Sequence, residues 1–352
     1  VSRAAGRRAA AGPVLRVGSV IALPLRPRAL AWAALYALLL VAVAALTLTL
    51  GRLGVPLTRL PAVVTGAGEA TETFVLDRLR GPRLTVALGT GAALGMAGAL
   101  FQSVTRNPLG SPDVIGLGAG AGAGAAAAAL LLPGTVSVPL GALAGSALAM
   151  MAVAVTTGTG LRHPGRLIVA GIGVAAMAHA FTQYTVAVLA RNEATVLSAY
   201  LYGNLGARSW DHAATIWLVV ALAVPFVAAL AGPVTVNEMG DELAESLGAR
   251  AGRTRTVAVV LSVVLSAVAV SVAGPIAFVS LTAPQIARRT TGVPGPNLAV
   301  SALVGALLLA AADLVVQQAP AAEGLPVGVL TMALGGVYLG CLLVREWRKG
   351  VL

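Results

Sequence analysis

Apolar residues fill this chain in ten stretches, at approximately 29–50, 84–104, 113–132, 136–157, 166–190, 211–231, 254–274, 276–290, 297–316 and 326–344. About 20 predominantly apolar residues cover the roughly 30 Å of bilayer hydrocarbon. Backbone amides in lipid must be satisfied inside the segment, which leaves helices or a closed barrel. Barrel strands alternate polar and apolar positions, whereas residues 121–132 are all Ala, Gly and Leu. The pattern therefore predicts an all-α, polytopic membrane protein of about ten transmembrane helices in a compact bundle. The eighth stretch is short and contains Pro284, so two shorter segments sharing one crossing is the alternative there. Residues 191–210 are semi-polar and predict a short helix plus a loop.

Between the sixth and seventh stretches lies a segment of a different kind, Asn237-Glu238-Met239-Gly240-Asp241-Glu242-Leu243-Ala244-Glu245-Ser246-Leu247-Gly248. It is too short and too polar to span. Met239, Leu243 and Leu247 recur every four residues and form one apolar stripe on a helix. Asp241, Glu242 and Glu245 point elsewhere, the early acids suit the helix dipole, and Gly248 supplies a stop. An amphipathic helix resting on the membrane is the plainer reading. Its acidic face argues against an anionic lipid surface and favours a protein partner.

Composition agrees with a membrane chain: 58% hydrophobic, 11% charged and a mean hydropathy of +0.89, against roughly 25% charged in soluble domains. The net charge of +11 does not point to nucleic acid, because the basic residues sit at the ends of apolar stretches. With both termini cytoplasmic, 17 basic residues fall inside and seven outside, as the positive-inside rule asks. The expected organisation is a basic, disordered cytoplasmic tail over 1–28, a transmembrane domain over 29–345 and a short cytoplasmic tail over 346–352. The tail is not a cleaved signal peptide, since Pro24 and Pro27 break its apolar run. Abundant Gly (42 residues) and Ala favour close helix packing.

Chemistry-bearing residues are sparse. The only lysine is Lys349, so a phosphate-cradling G-x-x-x-x-G-K-[ST] loop does not exist here. The run Gly116 to Gly124 lies inside an apolar stretch and reads as packing, not as a dinucleotide turn. His163, His179 and His212 lack metal-ligand spacing, and Cys341 is a lone small residue in the last stretch; no metal site is expected. His179 sits mid-membrane beside Thr182, Gln183 and Tyr184; it faces a polar path or makes an interhelical hydrogen bond. Asp313 is an acid well inside an apolar stretch. It is either a proton relay or a structural acceptor near a helix end, and its solitude favours the second.

Several segments in order resemble the membrane permeases of the iron-siderophore, haem and cobalamin ABC importers, the type II importer class. They are Arg80-Gly81-Pro82-Arg83, the stretch from Gly98 to Asp113 with Arg106-Asn107-Pro108-Leu109-Gly110, and Leu167 to Gly173. Met239 to Gly248, Gly274-Pro275 through Arg288-Arg289, Ala312-Asp313 and Leu325-Pro326 to Thr331 complete the series. The ending Leu334 to Gly340 and the triplet Ala283-Pro284-Gln285 look closest to ferric-enterobactin-type permeases.

The resemblance implies a multi-pass protein of the cytoplasmic membrane that is not itself an enzyme. Two permease subunits, identical or paralogous, would flank a path for a ferric siderophore. Two cytoplasmic ABC ATPases would supply ATP and Mg²⁺ chemistry, and an external binding protein would deliver cargo. It implies a coupling helix over about 238–248, with Met239, Gly240, Asp241, Leu243, Ala244, Leu247 and Gly248 facing or shaping the ATPase contact. It assigns Arg80 and Arg83 to binding-protein docking, with plain interfacial anchoring as the alternative, and places Gln317 where some relatives carry a third arginine. His179, Thr182, Gln183 and Tyr184 are its candidates for the path. The same machine for cobalamin or haem, a proton-coupled carrier using Asp313, and an intramembrane enzyme are the competing readings.

Overall fold

The computed structural model describes residues 14–17, 21–24, 26–51, 53–158, 164–189, 191–322 and 324–348. Arg3, Arg7, Arg8, Arg52, His163 and Lys349 lie outside the described residues. Within the tail expected to be disordered, β1 (Val14–Val17) and β2 (Ile21–Pro24) pair antiparallel, Val14 opposite Pro24 and Val17 opposite Ile21. The β-branched residues at Val14, Val17 and Ile21 suit such pairing.

The rest is helical. The helices are α1 (Pro27–Thr49), α2 (Leu60–Val64), α3 (Ala70–Phe74), α4 (Gly81–Thr105), α5 (Leu117–Leu131), α6 (Val138–Thr156) and α7 (Pro164–Val188). They continue with α8 (Arg191–Leu201), α9 (Trp210–Asn237), α10 (Asp241–Ser246), α11 (Ala251–Ala273), α12 (Val279–Thr291), α13 (Leu298–Gln318) and α14 (Val327–Arg348). Every apolar stretch read from the sequence carries a helix.

Among the described residues, seven helical segments are long and apolar enough to span a bilayer: α1, the continuous 70–105 segment, α6, α7, α9, α11 and α13. Shorter apolar helices cover Leu117–Leu131 and Val327–Cys341. At 1.5 Å per residue, the 13 residues of α12 reach about 20 Å, short of a full crossing. Gly274 at φ +79° and Phe278 at φ +68° interrupt the chain just before it. The eighth apolar stretch is thus an irregular segment followed by a short helix.

The centre of the bundle is α4. Its most apolar window is 89% buried, against 6% for peripheral α1. Small residues make this possible. A Cβ on Gly91 would collide with the carbonyl of Gly305, and a Cβ on Gly305 with the carbonyl of Gly91, so α4 and α13 touch backbone to backbone. Gly124 and Gly145 do the same for α5 and α6. On two other faces of α4, buried polar groups find partners. Ser262 Oγ donates to the Ala97 carbonyl at 2.8 Å, and Gln102 Nε2 to the Leu281 carbonyl at 3.0 Å. Burial without such partners is costly.

Contacts sort the helix ends into two groups, named here by the sequence-based orientation. At the outer end, a π-helical turn, Val75–Arg80, joins α3 to α4, and Trp210 Nε1 of α9 donates to the Asp77 carbonyl at 2.7 Å. At the inner end gather the end of α4, the α9–α11 turn, the end of α12 and the start of α1, whose Tyr36 donates to Thr290 Oγ1 at 3.2 Å.

Candidate functional site

The 237–248 segment is a short helix in a clamped turn. Gly240, at φ +113°, and Gly248, at φ +81°, bracket α10 in conformations that favour glycine. Asn237 Nδ2, at the end of α9, donates to the Ala251 carbonyl of α11 at 3.0 Å and ties the two flanking helices together.

Three arginines from three other positions hold the turn. Arg106 ends α4 in a left-handed conformation, φ 50°. Its Nε donates to the Asn237 carbonyl at 3.1 Å, and its Nη2 pairs with Asp241. Arg255 of α11 donates from Nη2 to both oxygens of Asp241, at 2.7 and 2.8 Å. Arg288 of α12 donates to Glu238 Oε1 at 2.8 Å and to Ser103 Oγ of α4 at 2.7 Å. The hydrogen bond from Arg255 is the main cause that holds the Asp241 carboxyl below its ordinary value of 3.8, with Arg106 adding to it.

The apolar stripe faces the other way. Met239 is 59% exposed, Leu243 46% and Leu247 63%, while Ala244 is fully buried against the bundle. One side of the turn is therefore fixed by α4, α11 and α12, and the other presents three large apolar side chains. Glu242 and Glu245 are also exposed. The sequence found the stripe but not the clamp. Arg106, Arg255 and Arg288 read there only as inner-side charges, because pairing across 135 and 50 residues leaves no periodic signal.

At the outer end the two arginines before and within α4 have partners inside the chain. Arg83 donates from Nε to both oxygens of Asp313 at 3.0 Å and from Nη2 to Oδ1 at 2.7 Å. Gln317 Nε2 adds a 2.7 Å bond to the same carboxylate. Arg80 Nη1 donates to the Thr47 carbonyl at 2.6 Å. The docking role expected of Arg83 has to be reconciled with a guanidinium committed to Asp313. Arg78, by contrast, is exposed and makes no ion pair among the described residues.

The four expected path residues do not share one environment. Thr182 is buried, its hydroxyl bonded to the Ala178 carbonyl at 2.9 Å. His179, Gln183 and Tyr184 are exposed on α7. Polar groups on the open face of a membrane helix meet a cavity or another protein more readily than lipid.

The FecCD transport family is matched over residues 38–345, nearly the whole chain. The chain belongs to this family. Among similar proteins, the ferric enterobactin transport system permease protein FepG of Escherichia coli is 39% identical over 291 residues, which is 82% of this chain and 88% of the relative. The Fe(3+)-citrate import system permease protein YfmE of Bacillus subtilis is 34% identical over 78% of this chain and 84% of the relative. A solved metal-chelate type ABC transporter in an inward-facing conformation shares the fold at a TM-score of 0.78 and 22% identity. That match covers 89% of this chain and 98% of the other. The matched region includes the clamped turn, the Arg83–Asp313 pair and the polar face of α7.

Proposed function

We propose that this FecCD chain is the permease subunit of an ABC importer that moves a ferric siderophore across the cytoplasmic membrane into the cell. Two partner ATPases bind and hydrolyse ATP, and a second permease subunit completes the path. The observation that carries this reading is the clamped α10, which turns Met239, Leu243 and Leu247 outward on a rigid base. A partner seated on that stripe pushes on α10. The Asp241 and Glu238 pairs pass the displacement to α4, α11 and α12 together, so the bundle moves as a unit. Family relatives named for ferric enterobactin and Fe(3+)-citrate favour an iron chelate over cobalamin or haem as cargo.

His179, Gln183 and Tyr184 are proposed to face the path or the second permease subunit. Arg78 is an exposed outer cation open to a binding protein, and Arg80 beside it is half-buried on the Thr47 carbonyl. The proton-carrier reading loses its support, because Asp313 is 2% exposed and held by Arg83 and Gln317.

The test is uptake of a labelled ferric siderophore into proteoliposomes holding the permease, its ATPases and a loaded binding protein. Uptake that requires ATP inside the ATPase-accessible compartment supports the reading. Uptake by the permease alone on a proton gradient overturns it.

A further inference from the structure

A groove of about 600 Å³ opens between α9 and α11, next to the clamped turn. Its walls are apolar side chains, among them Phe226, Leu230, Pro233 and Val257. Its rim carries Arg250 and Arg253, with Leu247 of the turn beside them. The arginines lie one helical turn apart at the start of α11 and so share a face. Both are exposed, and neither makes an ion pair among the described residues. The first turn of α11 contains no acid and has no side-chain cap, so its dipole adds to the positive potential. A Cβ at Gly252 or Gly248 would meet nothing within 4 Å, which leaves the rim open.

An apolar slot in a membrane chain, closed at one end by two unpaired cations, matches an acyl chain joined to an anionic headgroup. We propose that this groove binds one anionic phospholipid of the inner leaflet, its phosphate held by Arg250 and Arg253 and an acyl chain lying on Phe226, Leu230 and Val257. The proposal rests on the reading that this end faces the cytoplasm, where the leaflet is anionic. Because Leu247 borders the groove, the lipid braces the turn that carries the exposed stripe.

The full chain, purified in a neutral detergent, is titrated with phosphatidylglycerol, phosphatidylcholine and soluble glycerol 3-phosphate, and bound molecules are counted by native mass spectrometry. The expected result is retention of one phosphatidylglycerol with about fivefold or greater preference over phosphatidylcholine, near the contribution of a single surface arginine. The preference disappears in Arg250→Gln/Arg253→Gln and persists in Arg289→Gln, which removes a charge elsewhere at the same end. Equal retention of the two lipids, a preference that survives the double variant, or displacement by glycerol 3-phosphate overturns the proposal. The assay needs neither ATPase nor siderophore. Its failure therefore leaves the transport reading untouched, and failure of ATP-driven uptake leaves the lipid site standing.

Discussion

Arg83 and Asp313, separated by 230 residues, are joined by three hydrogen bonds of 2.7 to 3.0 Å that fasten the outer end of α4 to α13. The carboxylate is 2% exposed and the guanidinium 21%. Removing one partner strands a charge in a poorly solvated place, whereas replacing both with apolar residues removes the problem. Asp313→Ala should lower permease stability by about 3–5 kcal/mol, measured by unfolding in detergent. Arg83→Leu/Asp313→Leu should lose much less. Equal losses in the two variants would show that the residues do not act as a pair.

The same geometry predicts what charge reversal at the outer end reports. Arg83→Glu places two carboxylates together and should deplete folded permease. Arg78→Glu touches no ion pair and should leave the melting temperature within about 1 °C, since surface changes are usually within ±0.5 kcal/mol. Both are read by thermal unfolding of purified protein. An Arg83→Glu permease as stable as the parent would free that residue for a docking role.

The clamp can be loosened without touching the stripe. Asp241→Asn weakens the bonds to Arg255 and Arg106 while keeping the shape. Backbone hydrogen exchange over 238–248 should quicken, with little change in the global unfolding transition. The pH dependence has a definite sign. A carboxyl whose folded value is depressed contributes stability above its ordinary value and loses it as pH falls through the folded one. After correction for intrinsic exchange, protection of the segment should be flat from about pH 5 upward and fall only in acid below about pH 4. A loss of protection between pH 6 and 8 would mean that another group governs the turn.

The glycine seams predict sharp intolerance. Gly91→Val drives a side chain into the backbone of Gly305. Overpacking costs about 1–3 kcal/mol where neighbours can shift, and a backbone carbonyl shifts least. Gly173→Val, where a Cβ would meet nothing within 4 Å, is the control. Recovery of folded protein from membranes should fall for the first and hold for the second.

Helix positions were largely legible because lipid imposes a simple demand: every crossing needs a long apolar run with its backbone satisfied internally. The exceptions have physical causes. Residues 276–290 read as a short crossing containing Pro284, or as two segments sharing one, and the pattern did not say where the break falls. The left-handed backbone at Phe278 is set by tertiary packing and leaves no mark in an apolar pattern. The stripe Met239, Leu243, Leu247 was legible because it follows the helix period. The clamp was not, because Arg106, Arg255 and Arg288 meet Asp241 and Glu238 only after folding. Asp313 was legible as an anomaly in an apolar run, but not as the partner of Arg83.

The central claim is that the 238–248 turn offers its exposed leucines to an ATPase while Asp241 and Glu238 stay locked to the bundle. Leu243→Asp/Leu247→Asp tests this most directly, because a carboxylate in an apolar socket is costly unless it is paired. The measurement is co-purification of the cognate ATPase with the permease, with the permease's melting temperature and siderophore uptake recorded on the same samples. The account predicts an intact permease that loses its ATPase, or keeps it without uptake. Normal uptake with the ATPase still bound would contradict it.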